Sequence, residues 1–301
     1  MRQGRPTGRC RILLLVPLLL GFAAACMPLD AGTPSAPASA IPEYAPSGRI
    51  RPPASSECKS VLVVGDSLLG QAQEQVKSVF GDRGYCAHVD VYGIPGSAPA
   101  GQLKVFALEV PGPWTQLLRQ FLDEKHYDAV VAWFQGNTGS VTTEQNMQDS
   151  YAMLEVAREH GVPMWWTLPP LGAALGCNWS SPYSLDGYER YRAFVFNELV
   201  PNTGVKTING NVLTPLAGPT QEGPDGYTNE VRLPNGKAAL VRDADCLHLA
   251  GRGADLYARE LLYALQGLWG RGTPEWGRWS GSGGGIWGPG KLVDGRGSRG
   301  F

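Results

Sequence analysis

Short apolar runs alternate with stretches whose apolar residues recur at helical spacing, and this alternation limits what the chain can fold into. Val61-Leu62-Val63-Val64 is the first run, apolar at every position, as a strand buried on both faces must be. Leu68 to Phe80 has the helical spacing, Cys86 to Val91 reads as a second strand, and a helix is expected around Trp114 to Leu122. Tyr127 to Phe134 is a third strand, and Thr143 to His160 an amphipathic helix stopped by Gly161. Val162 to Leu168 is a fourth strand ended by Pro169-Pro170, Leu185 to Leu199 a helix, and Val205 to Ile208 a short fifth strand. A long loop over 209–243 contains a hairpin in which Glu230 to Leu233 and Lys237 to Arg242 flank Pro234-Asn235-Gly236. Ala250 to Leu268 is the last helix. Strands alternating with helices predict a parallel sheet covered on both faces. In such sheets, sites form beyond the carboxyl ends of the strands.

The flanks of this pattern are different in kind. Residues 1–26 have the form of an export signal: Arg2, Arg5, Arg9 and Arg11 precede an apolar run from Ile12 to Ala25 that is short for a membrane span. Ala23-Ala24-Ala25-Cys26 resembles the lipobox of bacterial lipoproteins, with Ala23 where Leu is usual, and would make Cys26 a lipidation site. The same residues also suit an ordinary small-residue cleavage site. Residues 27–57 are rich in Pro, Ala, Ser and Gly and are expected to be a disordered linker. Residues 270–301 read as a Gly-rich disordered tail, although Trp276, Trp279 and Trp287 can also hold a partner or a glycan. One folded domain, 58–269, remains, and it is long enough for a substantial core.

The formal charge of −1 gives no basic excess for nucleic acid. A membrane is expected to be met only through the N-terminal anchor, and the protein is expected to be a monomer. Cys58, Cys86, Cys177 and Cys246 lie in the domain, an even number that in an exported chain suggests two disulfides. Cys58 and Cys86 stand at the starts of neighbouring strands and are paired here, which leaves Cys177 with Cys246. No C-x-x-C occurs, so the spacing does not suit a zinc site and no metal is expected.

Ser67 follows the first strand and precedes a helix, at the edge where helix N–H groups favour negative charge. It is either an N-cap or a nucleophile, and a nucleophile needs a base. Four histidines are available. His88 is within the second strand, His160 ends a helix, and His126, in an apparent Asp-x-x-His with Asp123, precedes the third strand at the amino edge. His248, in Asp245-Cys246-Leu247-His248, enters the last helix and can face the carboxyl edge, with Asp245 fixing the imidazole. Oxyanion donors are sought at the same edge. Ser67 N–H is one, Gly96 follows the second strand, and the Asn137 amide follows the third. Turn chemistry accounts for Gly96 and Asn137 equally well.

This ordered set resembles the SGNH/GDSL hydrolases. Gly65-Asp66-Ser67-Leu68 matches the first block of that family, Gly96 the second-block glycine and Asn137 the third-block asparagine, while Asp245 and His248 match the last block, followed by Gly251. The third block departs from Gly-x-Asn-Asp, reading Gln135-Gly136-Asn137-Thr138. The resemblance implies a three-layer α/β/α sandwich around a parallel sheet, of flavodoxin-like type, and ester hydrolysis by Ser67, Asp245 and His248 without metal or organic cofactor. It implies a small-molecule or glycan ester as substrate, and the export signal suggests acyl esters of envelope carbohydrate or lipid. Trp165, Trp166, Trp179, Tyr183 and Tyr188 cluster near the fourth strand, where they either line a substrate pocket or pack in the core. An O-acyltransferase of envelope glycans, or a non-catalytic binding module on the same fold, are the alternative readings.

Overall fold

Buried alternation within β1 explains the layers. In this strand (Lys59–Gly65), Val61 and Val63 join one core cluster while Leu62 and Val64 join the other, and all four are fully buried. Each such side chain contributes about 2 kcal/mol by leaving water. Helix α1 (Ser67–Asp82) follows, then β2 (Ala87–Gly93), the two-residue strands β3 (Ser97–Ala98) and β4 (Gly101–Gln102), α2 (Trp114–Glu124) and β5 (Ala129–Trp133). Next come α3 (Thr143–Glu159), β6 (Met164–Thr167), α4 (Leu185–Phe194), α5 (Val200–Thr203) and β7 (Lys206–Ile208). A hairpin of β8 (Glu230–Arg232) and β9 (Ala238–Leu240) leads to α6 (Gly251–Leu265). These elements come from a computed structural model that describes residues 44, 46–102, 113–136, 141–169, 185–210, 230–243 and 248–270.

The main sheet has five strands in the order β2-β1-β5-β6-β7, all parallel. Helices α1 and α6 cover one face, and α2, α3 and α4 the other, giving the three layers expected. The chain runs from β1 outward to β2, then returns past β1 to β5. The carboxyl ends of β1 and β5 therefore flank the switch point where this topology opens a crevice.

Local signals account for the helix limits. Thr142 and Gln145 form a capping box ahead of α3, with Thr142 Oγ1 accepting from Gln145 N at 3.1 Å and Gln145 Oε1 accepting from Thr142 N at 2.7 Å. The helix expected over Leu185 to Leu199 changes pitch instead: a π-helical turn occupies Val195–Leu199 before α5. Pro201, in the first turn of α5, cannot donate the N–H that would continue a regular ladder.

One sequence expectation changes at the N-terminal boundary. The linker expected over 27–57 does not reach Cys58. The Tyr44 hydroxyl donates to Glu260 Oε1 at 2.9 Å, Ser47 N to the same carboxylate at 3.2 Å, and Arg51 N to Gln266 Oε1 at 3.2 Å. Tyr44 is buried and Ile50 packs on the α1–α6 core, so this segment straps the back of α6 and belongs to the folded unit. Small polar residues hide this in the composition, because a few backbone N–H groups and one phenol make the attachment. Cys58 and Cys86, by contrast, are joined as expected, at the amino edge beside β1 and β2. Cys26, Cys177, Cys246 and both terminal segments lie outside the described residues. Among the described residues, no helix is long and apolar enough to cross a membrane.

Candidate active site

Ser67 is the first residue of α1 and is partly exposed at the carboxyl end of β1. The helix cap is Asp66, whose Oδ1 accepts from Leu68 N at 3.0 Å. Capping, the ordinary use of a serine at such a place, is thus performed by its neighbour. Asp66 is fully buried, and its second oxygen, Oδ2, accepts from Gln135 N at 2.8 Å, just past β5. One carboxylate therefore ties the turn carrying Ser67 to the loop that leads to Asn137. Burial pushes the Asp66 carboxyl up to about 6, against the pull of the Gln135 and Leu68 N–H groups and of positive charge on His248.

The Gly96 loop is held to the same hub. Gly65 O accepts from Ile94 N at 3.0 Å and from the buried Ser97 hydroxyl at 3.1 Å. Gly96 is buried with φ of +71°, a conformation that costs a side-chain-bearing residue about 1–2 kcal/mol. The β3–β4 hairpin beyond it is fixed by Ala100 N donating to Asn146 Oδ1 at 3.2 Å and Trp114 N to Pro99 O at 3.1 Å. Gly136 has φ of +85°, and a Cβ there would lie 2.4 Å from the Tyr191 ring. The shifted glycine of the third block is therefore required by its own site, on steric grounds. Asn137 lies outside the described residues.

His248 reaches this edge by a different route. Arg242 and Leu249 form an antiparallel bridge, Asp243 N donates to His248 O at 2.9 Å, and Ala250 N to Val241 O at 3.1 Å. Leu249 N donates to Gln71 Oε1 at 2.8 Å. Gln71 is four residues after Ser67 on α1 and so shares its face of the helix. The residue following His248 is thereby bonded to the face of α1 on which Ser67 begins. Asp245 lies outside the described residues. The other histidines stand elsewhere: His88 is exposed on β2, His126 is exposed before β5, and His160 at the end of α3 bonds Asp123 Oδ1 through Nε2 at 2.9 Å.

Asp66, Ser97, Gln135 and Gln71 organise the edge, yet the sequence assigned them no role. Only Asp66 had a readable signal, an acidic residue immediately before a helix. Trp165 and Trp166 are buried in β6 and belong to the core; Trp179, Tyr183 and the Tyr188 side chain lie outside the described residues. Among the described residues, no group of three or more His, Cys, Asp or Glu is placed to hold a metal ion.

No protein-family model matches the sequence, and neither does any curated protein. Solved structures do resemble the fold. One is 16% identical, with a TM-score of 0.51 over 71% of this chain and 100% of that one. A carbohydrate acetylesterase family member from Sinorhizobium meliloti is 15% identical, with a TM-score of 0.48 over 71% of this chain and 100% of that one. A GDSL-like lipase from Bacteroides thetaiotaomicron is 14% identical, with a TM-score of 0.46 over 69% of this chain and 88% of that one. With its 2-1-5-6-7 parallel sheet and helices packed on both faces, the chain has a three-layer α/β fold.

Proposed function

We propose that the protein is a serine ester hydrolase of the SGNH/GDSL family, with Ser67 as nucleophile, His248 as general base and Asp245 as the group that orients the imidazole. The bond from Leu249 N to Gln71 supports this reading most strongly, because it ties the chain at His248 to the helix that Ser67 opens. Ser67 Oγ attacks the ester carbonyl carbon while His248 takes the hydroxyl proton. The carbonyl oxygen becomes an oxyanion, received by the N–H groups of Ser67 and Gly96 and the Asn137 amide. Collapse expels the alcohol, which leaves with the proton from His248, and the acyl group stays on Ser67. Water, deprotonated by His248, then releases the acid and restores the hydroxyl. The N-terminal position on α1 favours the developing negative charge. Asp66 and Gly65, by holding both neighbouring loops, support an edge whose donors are set before substrate arrives.

The substrates that suit an exported chain are acyl esters, acetyl among them, of envelope carbohydrate or lipid. Reaction with a fluorophosphonate, followed by a panel of acetyl, butyryl and long-chain esters, tests both parts. Labelling at Ser67 with turnover of at least one ester supports the reading, and labelling unchanged by Ser67→Ala contradicts it.

A further inference from the structure

We propose that Gln71 is a positioning residue for His248: its side-chain carbonyl fixes the peptide plane that carries the base and couples that plane to the helix of the nucleophile. This role rests on the reading of His248 as general base. The peptide unit between His248 and Leu249 is held at both poles. Its carbonyl accepts from Asp243 N at 2.9 Å, and its N–H donates to Gln71 Oε1 at 2.8 Å. Rotation of that plane breaks one hydrogen bond or the other, so the direction in which the His248 side chain leaves the backbone is fixed.

The two holds differ in what they connect. Asp243 follows Arg242, the bridge partner of Leu249, so its bond orders the loop internally. Gln71 belongs to α1. Side chains four residues apart on a helix have Cβ atoms about 5–6 Å apart, which places the anchor one turn from Ser67. A displacement of α1 then carries nucleophile and base anchor together, and their separation is preserved. Attack requires reacting atoms within about 3–3.5 Å, and misplacement by about 1 Å can cost on the order of a hundredfold.

Burial separates this role from packing. Leu249 is 5% exposed, whereas Gln71 is exposed, so the glutamine contributes an acceptor and little core volume. Gln71→Met keeps the length and removes the acceptor. Gln71→Glu keeps the acceptor and adds a negative charge near the imidazole. In the full chain, Gln71→Met is expected to lower kcat for p-nitrophenyl acetate about tenfold or more with KM nearly unchanged, and to raise amide hydrogen exchange at Leu249. Gln71→Glu is expected to retain most of kcat, to keep Leu249 protected, and to move the acid limb of the pH–rate profile upward, since a nearby carboxylate favours the imidazolium.

Equal kcat in Gln71→Met and wild type overturns the proposal, and so does an equal loss in both variants. Wild-type protein that neither turns over esters nor labels at Ser67 removes the hydrolase reading itself. In that event, Leu249 exchange still reports whether the clamp exists, and a clamp without catalysis overturns the positioning role.

Discussion

At the amino edge of the sheet, His160 ends α3 with its Nε2 2.9 Å from Asp123 Oδ1, a histidine–aspartate pair of good geometry. At the carboxyl edge, His248 precedes α6 beside the helix that Ser67 opens. In the sequence, His126 with Asp123 repeats the Asp-x-x-His spacing of Asp245 and His248. What separates them is the sheet: α3 ends where β6 begins, on the far side from every loop that follows a strand. The Cys58–Cys86 bridge shares that amino edge. The two edges divide the labour, with staples at one and the candidate reacting groups at the other.

The largest expected effect follows directly. Ser67→Ala and His248→Ala should each lower ester hydrolysis by about a thousandfold or more, measured as kcat/KM. His160→Ala and His126→Ala should stay within about threefold of wild type. A comparable loss at His160 would erase the distinction between the edges. Hydrolysis should also be lost on acidification, because an imidazole that has gained its proton cannot act as base. A flat profile would remove His248 from that role.

Asp66 sharpens the comparison, because it is structural yet stands at the edge of the candidate site. Asp66→Asn puts an amide NH2 against one of the two backbone donors that the carboxylate accepts from, and kcat should fall about tenfold. The pH dependence has a definite sign. The native carboxyl, raised from 3.8 to about 6, binds its proton more tightly than the unfolded one. Its contribution to stability is therefore greatest below pH 3.8 and declines as pH rises to about 6. In urea unfolding, wild-type stability relative to Asp66→Asn should fall by up to about 3 kcal/mol over that interval. A gap independent of pH would show that the carboxyl is not held as described.

Replacing Cys58 and Cys86 by Ser opens a closure across a sequence separation of 28 and should cost about 3 kcal/mol of stability, with kcat at permissive temperature unchanged. A kcat loss without unfolding would make the amino edge part of the chemistry. The smallest effect belongs to His160. Its hydrogen bond to Asp123 holds the imidazole above its ordinary value of 6.5. Its small contribution is fully present below 6.5 and is lost as pH rises through the raised value, so His160→Ala should differ from wild type only on the acid side.

Much of this division is legible in the amino-acid sequence alone. Val61 to Val64 announced a strand buried on both faces, and Ser67 at its end fixed the side to search. Cys58 and Cys86 open adjacent strands, which makes their pairing legible. The rest was hidden for physical reasons. β3 and β4 have two residues each, too few for a period. Gln71 is an exposed amide in a helix, and its significance lies in a partner 178 residues away. The strap from Tyr44 attaches through main-chain groups and a single phenol, which composition cannot reveal. The shift of the third-block glycine to Gly136 reads as a defect in sequence and is explained by contact with the Tyr191 ring.

Ser67 and His248 are proposed to act as one unit, and covalent labelling tests that proposal most directly. Wild-type protein and His248→Ala are treated with a fluorophosphonate, and the adduct is located by peptide mass spectrometry. The expected result is an adduct on Ser67 that forms readily in wild type and is slowed by about a hundredfold or more in the variant. An adduct on another residue, or equal labelling of Ser67 with and without His248, would contradict it.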